Sequence, residues 1–194
     1  MVVKSLVTSD TAGGAGSFRL LETTRDYALS KLTESGELPE FSRRHAGYYQ
    51  GLLEHIESEH EKVSIPPTHI DNVRAALEWC FPSKGDPAVG VRLAAAAAPV
   101  RLSLSLFREC QRWSEQAILT LDRDTSGGKE EMQLQASLDV SLMQMLGQSD
   151  ESYTAIARGL AIAQARGDVL NQVGLLGMRS MFRVRYGDFR MIAA

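Results

Sequence analysis

The strongest constraint on the fold is a helical spacing of apolar residues that continues from about residue 23 to the end of the chain. After Pro39, large side chains recur every three or four positions, at Phe41, His45, Tyr48, Tyr49, Leu52, Leu53 and Ile56. A period of 3.6 residues places such side chains on one face of an α-helix. Glycine-containing turns near residues 147, 167 and 187 recur at intervals of about 20 residues, a spacing typical of stacked helical pairs. The sequence therefore predicts a mainly α fold.

Turn signals divide this pattern into eight predicted helices. Thr23 with Asp26, and Thr68 with Asp71, are predicted capping pairs, and Pro99 is expected to kink or end the fourth helix. The helices are predicted at residues 23–35, from 39, 68–81, 88–99, 107–121, 132–146, 151–166 and 170–186.

Two extended stretches, residues 1–7 and 18–21, flank a glycine-rich turn and predict a β-hairpin before the first helix. A lone hairpin is marginally stable in water, so we expect a covering element outside this sequence. The last helical pair has no polar cap, which a solenoid end needs. We therefore expect both ends to be cut from a larger protein.

Composition excludes several classes of protein. The hydrophobic share of 44% is normal for a soluble domain, and a net charge of -3 does not indicate a nucleic-acid partner. Cys80 and Cys110 are too few for a disulfide framework, share no metal-ligand spacing, and are predicted to be buried thiols in a reducing cytosol. The longest apolar run, residues 89–100, contains Arg92 and is too short to cross a bilayer. We expect a cytoplasmic protein without direct contact to nucleic acid or membrane.

Three features of the sequence are candidates for chemical sites. Residues 13–16 are glycine-rich, but a phosphate-binding loop needs Gly-Lys-Ser/Thr at the start of a helix, so a flexible turn is favoured. His55 and His60 are five residues apart, which does not place two ligands on one helical face. A nucleophilic pair of Cys80 or Cys110 with a histidine stays open, although no local pattern supports it. We expect no catalytic, metal or cofactor-binding site.

Positive charge follows the last predicted helix at Arg179, Arg183 and Arg185. Arg179 and Arg183 lie one turn apart on one face, which suits contact with an anion or an acidic partner. The alternative, an exposed face or an interface with a further helical pair, is favoured.

Several stretches together resemble one family. They are VKSLV at 3–7, FRLLETTRDYALSKL at 18–32, RRHAGYY at 43–49, IDNVRAALEW at 70–79, ECQRWSEQA at 109–117 and GLAIAQARGD at 159–168. In this order they resemble the C-terminal segment of bacterial signal-transduction ATPases of the STAND class, which are AfsR-like and related to NB-ARC proteins. The resemblance covers nearly the whole chain.

The resemblance implies two domains. Residues 1–35 would be the end of a winged-helix subdomain, with a hairpin and a helix. Residues 36–194 would be a TPR-like antiparallel helical array, an α-solenoid, truncated at its C-terminus. ATP or ADP would bind only in an upstream domain, where the nucleotide-binding motifs of the family lie. A Met-His-Asp motif that senses the nucleotide in related proteins is replaced here by Leu20, Leu21 and Glu22, so the phosphate-sensing histidine is absent.

The function that the resemblance implies is a non-catalytic regulatory and interaction segment of a transcriptional regulator. It would sense a protein or a small-molecule effector and act on the upstream ATPase domain. The alternatives are an oligomerisation scaffold, which would form a homo-oligomer, and the sensor region of a relative fused to adenylate cyclase.

Overall fold

In the computed structural model, the described part of the chain comprises residues 7–10, 17–59, 67–82 and 85–186. It is a mainly α helical array with a short β-hairpin before it, so the predicted fold class is confirmed. The elements are β1 Val7–Asp10, β2 Ser17–Leu20, α1 Glu22–Glu34, α2 Leu38–Glu59, α3 Pro67–Cys80, α4 Pro87–Ser103, α5 Phe107–Leu119, α6 Lys129–Leu146, α7 Asp150–Ala165 and α8 Val169–Tyr186. None of these helices is both long enough and apolar enough to span a membrane.

The chain divides into two compact units, Met1–Ser42 and Arg43–Ala194. This boundary falls inside α2. The predicted division between residues 35 and 36, with a winged-helix remnant before it, stays a prediction.

The first unit contains an antiparallel hairpin in which Val7 lies opposite Leu20 and Asp10 opposite Ser17. The first strand was predicted at residues 1–7 but lies at Val7–Asp10, and residues 1–6 and the glycine-rich turn are outside the described residues. Only one residue separates β2 from α1.

That short link explains an error at the start of α1. Leu21 occupies the N-cap position and its side chain makes no capping hydrogen bond. Thr23 and Asp26 therefore lie inside the helix, and the predicted capping pair is wrong. Thr68 is likewise inside α3, because that helix begins at Pro67.

In the second unit, α3 to α8 each pack against the next helix, and α4 also packs against α6. One apolar cluster joins α2 to α6, and a second joins α6 to α8. The amide of Asn72 on α3 donates a hydrogen bond to the Tyr49 hydroxyl on α2 over 2.8 Å. These contacts make a continuous helical array.

The core of α4 is built from very small side chains. Ala94 to Ala98 are all buried, and a Cβ added at Gly90 would lie 2.8 Å from the Cβ of Cys80 on α3. Small residues at these positions let the neighbouring helices approach closely. Pro99 was expected to kink or end α4; the helix does not end there but continues to Ser103, and Pro99 is exposed.

The predicted burial of the apolar stripes is confirmed for α3 and only in part for α2. Ile70, Val73, Leu77 and Cys80 on α3 are buried, as predicted. On α2, Tyr49 and Leu53 are buried, but Phe41 and Tyr48 are exposed, because the packed face is narrower than the stripe. Gly147 and Gly167 have φ values of 76° and 64°, which confirms the predicted glycine turns.

Candidate functional site

Arg179, the first residue of the predicted anion-contact pair, is half-buried on α8. Its guanidinium carbon lies 4.5 Å from the centre of the Tyr153 ring on α7, a cation–π contact. Arg183 lies one helical turn further along α8, and its side chain is outside the described residues. The predicted role of Arg179 and Arg183 in binding an anion or a partner stays a prediction.

A buried carboxylate lies in the same region. Asp139 on α6 accepts a hydrogen bond from the Ser152 hydroxyl over 2.9 Å, and its side chain is almost fully buried. Burial raises the pKa of Asp139, and the bond from Ser152 and the charge of Arg179 act against that rise. The positive charge of Arg179 therefore stabilises the ionised form of Asp139 within the array.

A second carboxylate, Glu131 at the start of α6, is buried and fully engaged. It accepts hydrogen bonds from Nε and Nη2 of Arg158 over 2.6 and 2.9 Å, and from the backbone N–H of Gly127 over 2.6 Å. Burial opposes its ionisation, but these donors together hold the pKa of Glu131 below its ordinary value. This contact ties α7 to the start of α6.

A second ion pair joins α3 to α5. Arg74 donates to Glu109 from Nε over 2.8 Å and from Nη2 over 2.6 Å, and it also contacts the exposed carboxylate of Asp71. The hydrogen bonds from Arg74 lower the pKa of Glu109. Both oxygens of Glu109 are therefore occupied by one guanidinium.

Beside this pair lies the least expected side chain of the array. Arg101, in the last turn of α4, is 1% exposed, and none of its guanidinium nitrogens has a hydrogen-bond partner among the described residues. Burial lowers the pKa of Arg101 to about 10. Glu109 and Cys110 on α5 act against that decrease, whereas the positive charge of Arg74 reinforces it. The cluster of Arg74, Arg101, Glu109 and Cys110 is the candidate functional site.

Both cysteines and two of the histidines of the described residues lie in packed surroundings. Cys80 and Cys110 are buried, as predicted, and burial raises the pKa of both thiols, that of Cys80 to about 12. His45 and His69 pack against the Tyr49 ring. Within the described ranges, no group of three or more His, Cys, Asp and Glu side chains is arranged to hold a metal ion.

Sequence reasoning missed all four members of the candidate site as a group. One signal was present in the sequence. Ala98 follows Ala94 by four residues and Arg101 follows Ala98 by three, so Arg101 lies on the same helical face as these two alanines. An arginine at a core position of a helix predicts a buried charge. The pairing of Arg74 with Glu109 left no such signal, because 35 residues separate them.

Comparison with known proteins gives one clear similarity. The chain is 36% identical over 118 residues to proteins named as HTH-type transcriptional regulators in Mycobacterium bovis and in two strains of Mycobacterium tuberculosis. The match covers 58% of this chain and 13% of each relative. The chain thus spans only a small part of the length of these curated relatives. No protein-family model matches the chain, and no solved structure shows significant similarity to it.

Proposed function

We propose that this chain is a non-catalytic regulatory and interaction segment of a signal-transduction ATPase of the STAND class that regulates transcription. The observation that carries the proposal is the similarity to HTH-type transcriptional regulators over 13% of their length. In this proposal, DNA binding and nucleotide hydrolysis belong to other parts of the parent protein. The net charge of -3 agrees with a segment that does not itself bind DNA.

The positions of the family-like stretches support the proposal. RRHAGYY, IDNVRAALEW and ECQRWSEQA lie on α2, α3 and α5, and each supplies buried residues to the first apolar cluster, including Tyr49, Leu77 and Trp113. GLAIAQARGD covers the end of α7 and the turn into α8. Residues of the resemblance are thus residues that build the array, in keeping with a TPR-like sensor.

The proposed mechanism is a shift between conformational states of the parent protein. A protein or small-molecule effector acts only if it binds one state of the array more tightly than another. The upstream domain, which would hold ATP or ADP, then follows the state of the array through a coupling free energy between the two sites. The chain itself contributes binding, with no bond-making step.

The test is thermal melting of the 194-residue chain against a library of nucleotides and metabolites. A saturable rise in melting temperature with one class of compound is the expected result for a small-molecule sensor, since binding to the folded state stabilises it. In parallel, fluorescence anisotropy with duplex DNA is expected to show no binding at physiological salt. Tight DNA binding, or turnover of any library compound, contradicts the proposal.

A second candidate function, an oligomerisation scaffold, is favoured by one face of α8. Its large apolar side chains are strongly exposed, with 86% exposure at Leu170 and 64% at Val173. An exposed apolar face of this kind is typical of an interaction surface. Sedimentation at several concentrations tests the scaffold: Leu170→Glu with Val173→Glu is expected to abolish association, and Gln164→Glu on exposed α7 surface is the matched control. A concentration-independent monomer excludes the scaffold.

A further inference from the structure

Arg101 differs from the other buried ionic side chains of the described array. Asp139 and Glu131 accept hydrogen bonds from Ser152 and Arg158, respectively. The guanidinium of Arg101 has no such acceptor among the described residues, although the side chain is 1% exposed. A buried charge without a hydrogen-bonded partner is strongly unfavourable, and proteins ordinarily pair it or solvate it.

The carboxylate whose charge acts on Arg101 is not free to serve as that partner. Glu109 is held by both Nε and Nη2 of Arg74, so its two oxygens already accept hydrogen bonds from one fork of donors. Asp71, which also contacts Arg74, is 73% exposed and is screened by solvent. The side chains of Arg74 and Glu109 are themselves 36% and 31% exposed, whereas Arg101 is 1% exposed, so the buried charge of the α3–α4–α5 corner is the positive charge of Arg101.

Small polar side chains occupy buried positions on α5 and α6. The Cys110 thiol donates a weak hydrogen bond to the Ala98 carbonyl over 3.9 Å, and the Ser141 hydroxyl donates to the Ser137 carbonyl over 2.7 Å. Ser114 and Ser141 are both fully buried. Burial raises the pKa of the Cys110 thiol, so none of these groups supplies a negative charge that balances Arg101.

We propose that Arg101 anchors a buried binding site for a small oxyanion, the carboxylate or phosphate group of an effector. This inference rests on the proposed sensor function and names the chemistry of its ligand. A guanidinium presents five N–H donors in a planar fork that matches two oxygens of a carboxylate or a phosphate. A cation or a neutral apolar compound gains nothing from that fork.

Because the site is closed, an anion binds only with a change in conformation. The guanidinium nitrogens have no appreciable contact with solvent, so an anion reaches them only when the corner between α4 and α5 opens. That corner, residues 104–106, contains Ser105 with a φ of 59°, an uncommon conformation for a residue with a side chain. An anion bound there stabilises the open arrangement of α4 and α5, and the array acquires a second state.

The experiment uses the full chain with sodium acetate, succinate and inorganic phosphate, each compared with sodium chloride at equal ionic strength. Binding is followed by melting temperature and by the 15N–1H signal of the Arg101 Nε–H group. The expected result is a saturable rise in melting temperature with at least one probe and a concentration-dependent shift of that signal.

Two substitutions and one control assign the effect to Arg101. Arg101→Met is expected to abolish the anion-dependent rise, and Arg101→Lys to weaken binding at least about tenfold, because a lysine lacks the fork. Arg108→Met removes an exposed charge from α5 and is expected to bind like the original chain. The lysine variant carries the test if the methionine variant does not fold.

Several outcomes overturn the site. Equal stabilisation of the original chain and of Arg101→Met places the anion elsewhere and leaves the sensor function intact. No saturable effect of any of the three probes at up to about 50 mM also overturns it. If only other library compounds stabilise the chain, the anion site at Arg101 is also overturned. If no compound and no protein partner binds, the sensor function itself is contradicted.

Discussion

Arg158 on α7 holds Glu131 on α6 by two parallel hydrogen bonds, from Nε to Oε1 over 2.6 Å and from Nη2 to Oε2 over 2.9 Å. The carboxylate is 5% exposed, whereas the arginine is 44% exposed. Glu131 also accepts the backbone N–H of Gly127, one of the groups that precede the first turn of α6. One carboxylate thus caps the start of a helix and joins it to the next.

We expect Glu131→Gln to lower the free energy of unfolding by about 2 kcal/mol at pH 7, because an amide replaces a buried carboxylate that accepts charge-assisted hydrogen bonds. Urea denaturation with Glu115→Gln, an exposed substitution on α5, provides the comparison. The pKa of Glu131 is lowered in the folded state, so its contribution is present above about pH 4.3 and is lost as the pH falls through the folded pKa. The two stability curves are expected to converge in acid, and a constant difference down to pH 3 contradicts this assignment.

Asp139 is expected to behave in the opposite way. Burial raises its pKa, so its ionisation destabilises the folded state as the pH rises from the ordinary value of about 3.9 through the folded pKa. Asp139→Asn keeps an oxygen that accepts the Ser152 hydroxyl and removes the buried charge. We expect a higher melting temperature than that of the original chain at pH 7 and a smaller difference near pH 4. A lower melting temperature at pH 7 shows that the charge of Arg179 outweighs the cost of burial.

Gly90 on α4 is expected to tolerate no side chain. An added Cβ would lie 2.8 Å from the Cβ of Cys80 and 3.0 Å from the Phe81 ring. We expect Gly90→Ala to cost about 1–3 kcal/mol of stability, a typical cost of overpacking. Gly47→Ala is the matched control, because a Cβ there meets nothing within 4 Å and alanine favours the helix by about 0.5–1 kcal/mol. Equal effects in denaturant titrations contradict the close approach of α3 and α4.

The two thiols are expected to be inert in the folded chain. Cys80 and Cys110 are buried and their thiol pKa values are raised, so the reactive thiolate is both rare and inaccessible. At pH 8, an aromatic disulfide reagent is expected to react at least about 100-fold more slowly with the folded chain than with the unfolded chain. Rapid reaction of Cys110 without loss of structure indicates that the α4–α5 corner opens readily. The Cys110→Ser variant identifies the reacting thiol, because a rapid reaction that persists in this variant belongs to Cys80.

The helices could be predicted from the sequence, because the features that specify them are local. Apolar spacing of three to four residues, together with turn residues, predicted the eight helices of the described residues. Glycines at 147 and 167 predicted the turns whose positive φ values glycine adopts without strain. Burial of Cys80 and Cys110 followed from their places in apolar stripes. The errors at Thr23 and Thr68 concern helix ends, where a shift of one or two residues decides which residue is the N-cap. Pro99 does not end α4, which continues to Ser103.

Which charged side chains pair with each other depends on the packing of the helices. Arg74 and Glu109 are 35 residues apart, and Glu131 and Arg158 are 27 residues apart, so no local spacing predicts either pair. Arg101 lacks a partner because of the same packing, since Arg74 on α3 occupies both oxygens of Glu109, the carboxylate whose charge acts on Arg101. A helix specifies the side of its own axis on which a side chain lies, but the partner comes from a neighbouring helix, and only packing of the whole array brings the two together.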